Sequence, residues 1–148
     1  MAIVGFTKLE ALFRKAASLD LEKGDAESIT DVVEQKLVDF LIAGERTANI
    51  NGRDVITEGD LPITKGMQET IIAFRKLEEE IDLEDVLEYL STIPPLKYPL
   101  AADLEQKLPE ITGALLVVMA RILKEIEHTR RVTHEGIDTA KRIMDLTL

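Results

Sequence analysis

Cysteine is absent from the chain, and so is tryptophan. The first absence excludes disulfides, thiolate zinc sites and cysteine nucleophiles. Aromatic residues make up only 4% of the 148 positions, too few for a platform that stacks single-stranded bases. Tyr89 and Tyr98 are isolated and read as structural. There is no glycine-rich phosphate loop, no Gly-x-Ser-x-Gly elbow and no credible catalytic triad. Long apolar runs are missing too. The longest uncharged one, "ITGALLVVMA" at 111–120, is too short to span a bilayer and ends at Arg121. The opening "MAIVGFTKLEALF" has no basic region ahead of a long apolar core, so it does not read as a signal peptide. These absences lead to the expectation of a soluble cytoplasmic protein with no membrane attachment, no cofactor and no enzymatic activity.

What is present is aliphatic and acidic. Hydrophobic residues reach 45%, enough for a packed interior of Leu, Ile, Val, Ala and Met. A chain of 148 residues makes one domain, or two very small units sharing a core. Charged residues amount to 31%, with 18 basic against 28 acidic side chains and a net charge of −10. That balance disfavours indiscriminate binding to nucleic acid or anionic membranes. It is not confined to one half: residues 1–78 hold 10 basic and 14 acidic residues, and residues 79–148 hold 8 and 14.

Apolar residues recur with a period of 3.6 almost throughout, and no alternating strand pattern emerges. Leu9, Leu12, Phe13 and Ala16 mark a first helix. In "SLDLEKGDAES" Gly24 and Asp25 supply turn chemistry, and a longer helix is expected from Ser28 to about Ala48. Asn51 and Gly52 suit its left-handed C-terminal cap. Thr57 reads as an N-cap with Asp60 at the third position, opening one short turn over 57–61. A helix restarting at Pro62 is then expected to reach about Glu80. Leu83, Val86, Leu87 and Leu90 form the next short amphipathic helix. "IPPLKYPL" must be extended, because three of its residues between 94 and 99 are proline. A long helix follows, which Pro109 either kinks or effectively starts. "HTRR" ends it, and a last short helix opens with Thr133 as its N-cap.

The two halves repeat. Leu9, Leu12, Phe13 and Ala16 plus 74 give Leu83, Val86, Leu87 and Leu90. Ile29, Val33, Phe40 and Leu41 plus 75 give Leu104, Leu108, Leu115 and Leu116, and Ile56–Thr57 plus 76 gives Val132–Thr133. The plan is short helix, long helix, short helix, twice over. A long helix that is apolar on both sides needs a partner, and here the partner is in the same chain. The two long helices should therefore cross and pack face to face, without the translational cost of joining separate chains.

This plan, together with "INGRDVITEGDL" at 50–61, resembles the histone fold of archaeal-type histones. Their second loop reads Gly-Arg, a few residues, then an Asp at the start of the last helix. Gly52, Arg53 and Asp60 stand in that pattern, with Ile56 as the apolar loop residue. "LFRKAA" at 12–17 is similar to the end of the family's first helix. The tandem arrangement resembles bacterial histone-fold proteins of uncharacterised function that carry two units in one chain. The resemblance implies an all-α fold of two tandem histone-fold units packed as an intramolecular pseudodimer. The units would span 5–80 and 81–148 within one domain. It also implies a salt bridge between Arg53 and Asp60 that holds the loop against the third helix. Departures accompany the matches. Asp54 and Val55 replace the Lys and Thr with which DNA-binding members meet phosphate, and Ala11 replaces a basic residue of the first helix. In the second unit Thr129 and Gly136 fall at the Arg and Asp positions.

Two functions follow as expectations. The first is a protein-interaction or structural module that acts through protein partners or self-association. The second is nonspecific duplex DNA binding of the nucleoid architectural kind, for which Arg14, Lys15, Arg53, Arg130 and Arg131 are the candidate phosphate contacts. His128 and His134 are the only histidines, and they lie outside any metal-ligand spacing motif. The acidic run "KLEEEIDLEDVLE" reads as a solvated face with no singled-out general acid or base, and no small-molecule substrate is implied.

Overall fold

Six α-helices and one 3-10 turn carry the fold in the computed structural model, which describes residues 5–148. The first four residues, part of the stretch read for a targeting signal, lie outside the described residues. Among the described residues there is no strand, only two isolated parallel bridges, and no helix long and apolar enough to cross a membrane.

Helix α1 (Phe6–Ala17) buries Leu9, Leu12 and Phe13, the stripe expected from their spacing. Ser18 closes it in a left-handed conformation, its N–H donating to the Arg14 carbonyl at 2.9 Å. Helix α2 runs Lys23–Ile50, five residues earlier at its start than the sequence reading placed it. Gly24 and Asp25 lie inside the helix and do not form a turn. The reason is a capping box: the side chain of Glu22 accepts from the third helical N–H, and Asp25 accepts from the Glu22 N–H at 3.0 Å. At the other end Gly52 has φ +72°, and the Arg53 N–H reaches back to the Ala48 carbonyl at 2.9 Å. That conformation is open to glycine at no steric cost.

Thr57 caps the 3-10 turn Glu58–Asp60. Pro62 then breaks the chain for longer than expected: α3 is Lys65–Glu78 and starts at Thr64, whose hydroxyl accepts from the Met67 N–H at 3.2 Å. The restart lies at this cap and not at the proline, because residues 61–64 stay outside the helix. Helix α4 (Glu84–Leu90) and the proline-rich connection lead to α5 (Ala102–Glu127). Helix α5 passes through Pro109 without ending. The carbonyl robbed of a donor there belongs to Glu105, an exposed residue. Helix α6 (His134–Thr147) is capped by Thr133, whose hydroxyl accepts from the Gly136 N–H at 2.9 Å.

The two long helices α2 and α5 pack against each other, and α5 is touched by every other α-helix. The shared core is aliphatic, with Phe13, Phe40 and Phe74 as its large members. The third helix of each half packs differently. Helix α6 lies on α5 and α2, whereas α3 lies mainly on α5 and touches α1. At the α3–α5 contact the Phe74 ring covers Gly113, where an added Cβ would stand 2.2 Å from the ring. Only glycine lets the two helices approach this closely.

Candidate functional site

The loops meet in two places, one at each parallel bridge, and the candidate residues divide between them. At the first, Ile56 bridges Leu100. The Ile56 N–H donates to the Pro99 carbonyl at 2.9 Å, and the Ala101 N–H donates to the Ile56 carbonyl at 2.8 Å. Arg53 grips Asp60 with both terminal nitrogens, at 2.6 and 2.5 Å, and also donates to the Val55 carbonyl at 3.3 Å. Asp60 is only 5% exposed. It also accepts from the Thr57 N–H at 2.8 Å and the Thr57 hydroxyl at 3.0 Å. The Arg53 guanidinium therefore holds its carboxyl far below the usual range, against a burial effect of opposite sign, and the Thr57 bonds add to the lowering. A two-pronged Arg–carboxylate contact of this kind fixes geometry as well as charge. Both prongs of Arg53 are committed to the loop's own carboxylate.

Three further contacts tie this end down. Glu45 of α2 accepts from the backbone N–H groups of Lys97 and Tyr98 at 2.5 and 3.0 Å. The Tyr98 hydroxyl donates to Asn49 at 2.8 Å, and Lys107 meets Glu58 at 2.6 Å. None of these partners is visible in the sequence, because each joins residues 49 or more positions apart.

At the second meeting place Asp20 bridges Arg131, and the Asp20 N–H donates to the Arg130 carbonyl at 2.7 Å. The Asp20 carboxylate sits between two arginines, Arg14 at 3.3 Å and Arg130 at 3.4 Å. Partial desolvation opposes its ionisation, but the hydrogen bonds from Arg14 and Arg130 prevail and lower its pKa. The fold thus brings Arg14 to Arg130 and Arg131, more than a hundred residues further along the chain, and Asp20 is the residue that sequence reasoning missed. Arg131 is exposed and joins through its backbone bridge. Lys124 adds a further cation, donating to the Thr129 carbonyl at 3.3 Å. Lys15 does not join this cluster: it pairs with Glu80 beyond the end of α3. Arg53 lies at the other meeting place.

His128 caps α5 in a left-handed conformation, and His134 begins α6. Among the described residues no group of three or more His, Asp or Glu side chains is placed to hold a metal ion. The most buried cation is Lys36 of α2. It reaches Asp145 of α6 at 2.8 Å and Asp39 at 3.5 Å, which locks the last helix to the first half. The bond from Lys36, helped by Lys141, lowers the Asp145 pKa against the effect of burial.

The geometry defines an all-helical protein whose loops meet at two ends. The chain belongs to the family described as "Domain of unknown function (DUF1931)", whose model matches residues 9–145. Two proteins of Aquifex aeolicus (strain VF5), each named "Uncharacterized protein", are similar to it. One is 32% identical over 141 residues, covering 95% of this chain and 82% of the relative; the other is 30% identical over 145 residues, covering 92% and 87%. A crystal structure of a Thermus thermophilus protein shares 41% identity and a TM-score of 0.87, covering 99% of this chain and 100% of that one. A crystal structure of an Aquifex aeolicus protein shares 30% identity and a TM-score of 0.87, covering 100% and 98%.

Proposed function

We propose that the chain is a histone-like pseudodimer that works as a non-enzymatic protein-interaction and structural module in the cytoplasm. The fold part of this reading is supported by the doubled short–long–short plan and by the crosswise loop pairing. The first loop of each half meets the second loop of the other, through Asp20 with Arg131 and Ile56 with Leu100. The functional part rests on one observation: three of the four candidate arginines, all but Arg131, are answered by carboxylates of the same chain. Arg53 is held by Asp60, and Arg14 and Arg130 share Asp20. An arginine so engaged must give up a charge-assisted bond before it can take a phosphate. Asp54 beside Arg53 and the net charge of −10 act in the same direction.

Nonspecific duplex DNA binding is the second reading, and the end that carries Arg14, Lys124, Arg130 and Arg131 favours it. The test is duplex binding measured over a salt series. The module reading expects no measurable binding even at low salt. Affinity that is tight at low salt and falls steeply as salt rises would overturn it in favour of the DNA reading.

A further inference from the structure

Helix α3 departs from the repeat, and its departure exposes a surface. Because Pro62 delays the helix to Lys65, α3 turns Met67, Thr70, Ile71 and Phe74 onto the core. On the opposite side lie Lys65, Glu69, Ile72, Lys76 and Glu79, all exposed. At 3.6 residues per turn they fall within an arc of about 80°. Ile72, 53% exposed, is the middle of the stripe.

The order of charges along this stripe is plus, minus, apolar, plus, minus. Turned end for end about Ile72, it becomes its own complement. Lys65 and Glu79 stand seven residues to either side, and Glu69 and Lys76 stand three and four residues away. In an antiparallel pair of α3 helices each Lys65 meets the other copy's Glu79, each Glu69 meets Lys76, and the two Ile72 side chains touch. A two-fold interface demands this kind of self-complementarity, since one patch must serve both partners. The only ion pair within the stripe, Lys65 with Glu69 at 3.4 Å, is highly exposed and exchanges readily with an intermolecular one. Glu69, Ile72, Lys76 and Glu79 of the stripe also line a groove of about 780 Å³, with Lys15 and Ala16 of α1 and Arg121 of α5 across it. It leaves room for a partner helix to settle beside α3.

We infer that the exposed face of α3 is a homotypic docking surface whose partner is α3 of a second copy, antiparallel about Ile72. The inference deepens the association reading and rests on it by naming a second copy as one partner. A pair of 14-residue helices buries little area, so the dimer is weak and sensitive to salt.

The test is sedimentation equilibrium of the full chain from about 10 μM to about 1 mM, the range in which small interfaces associate. The wild-type chain is expected to shift from monomer toward dimer, less so at high salt, and Ile72→Asp to remain monomeric. Lys65→Glu and Glu79→Lys should each weaken the dimer, and the double variant K65E/E79K should restore it, because the swapped charges still meet. Both reversals place charges that suit the helix dipole, so the helix is retained, and circular dichroism checks that. A wild-type chain that stays monomeric throughout overturns the proposal. So does a dimer that survives Ile72→Asp, or a double variant no stronger than the single ones. Tight duplex binding in the salt series would sink the module reading while leaving these outcomes as they fall, so the two failures are distinguishable.

Discussion

The two loop–loop ends have the same backbone design and opposite side-chain design. At the end built on Ile56 and Leu100, a buried carboxylate is clamped by both prongs of Arg53 and by the Thr57 cap, while Glu45 fixes the facing loop. At the end built on Asp20 and Arg131, the charges lie in the open at 3.3 and 3.4 Å. Burial is what separates them. A carboxylate taken out of water must be fully partnered or it destabilises the fold, so the Asp60 site demands one geometry. An exposed carboxylate between two arginines demands little and contributes little. The first end is a strut, and the second is a patch of surface whose charge balance is open to change.

The largest expected effect abolishes the comparison by loosening both ends together. Leu41 and Leu116 are fully buried in the two long helices that both ends share. Replacing either with Ala should cost about 2–5 kcal/mol in urea denaturation, through lost burial and the cavity left behind. The strut alone is removed by Asp60→Ala, which deletes the charge-assisted bonds from Arg53 and the carboxylate that accepts from the Thr57 N–H and hydroxyl. It should cost about 2 kcal/mol. Arg53→Ala should also destabilise, since it leaves the buried Asp60 carboxylate without its cation. Equal losses from all of these changes would contradict the division into core, strut and open end.

Acid sharpens the difference next. Asp60 has a folded pKa below its unfolded one, so it binds a proton less readily when folded. Its contribution is therefore complete above the ordinary carboxylate range and fades as the pH falls through that range toward the lower folded value. Asp20 and Asp145 are shifted in the same direction, whereas Glu34 and Glu78 are shifted upward, so the whole chain's profile mixes signs. The stability difference between wild type and Asp60→Asn isolates one residue. It should be constant near neutrality and shrink between about pH 5 and about pH 2. A difference that stays flat on acidification would mean that Asp60 is not held ionised by Arg53.

How much of this is legible in the sequence depends on the range of each interaction. Thr57 with Asp60, and Thr133 ahead of α6, are visible because a cap is written in three or four adjacent residues. Arg53 and Asp60 are visible as partners through the resemblance of their loop to the histone pattern, but the burial of Asp60 is not visible there. The α2 start is misread because Gly24 and Asp25 are turn formers by type, and only the reciprocal bonds of Glu22 and Asp25 draw them into the helix. The α3 start is misread for a related reason: Pro62 marks a break, and Thr64 decides where it ends. Asp20 gives no signal at all. Its meaning comes from Arg130, 110 residues away, and no local pattern encodes that meeting.

The smallest stability effect therefore belongs to Asp20, and it carries the most information about function. Asp20→Asn removes the carboxylate shared by Arg14 and Arg130 while nearly preserving shape, and the backbone bond from the Asp20 N–H to Arg130 stays available. The change in stability should lie near the limit of measurement, well below that of Asp60→Ala. Its electrostatic effect is larger in kind, because it leaves Arg14, Lys124, Arg130 and Arg131 facing solvent with one fewer acid among them. If the wild-type chain is kept off duplex DNA by this carboxylate, the variant should gain weak affinity at low salt that disappears as salt is raised. If Asp20→Asn binds no better than wild type, the local balance is not what withholds the arginines. The acidic surface as a whole then accounts for the exclusion, which places the open end among protein-facing surfaces.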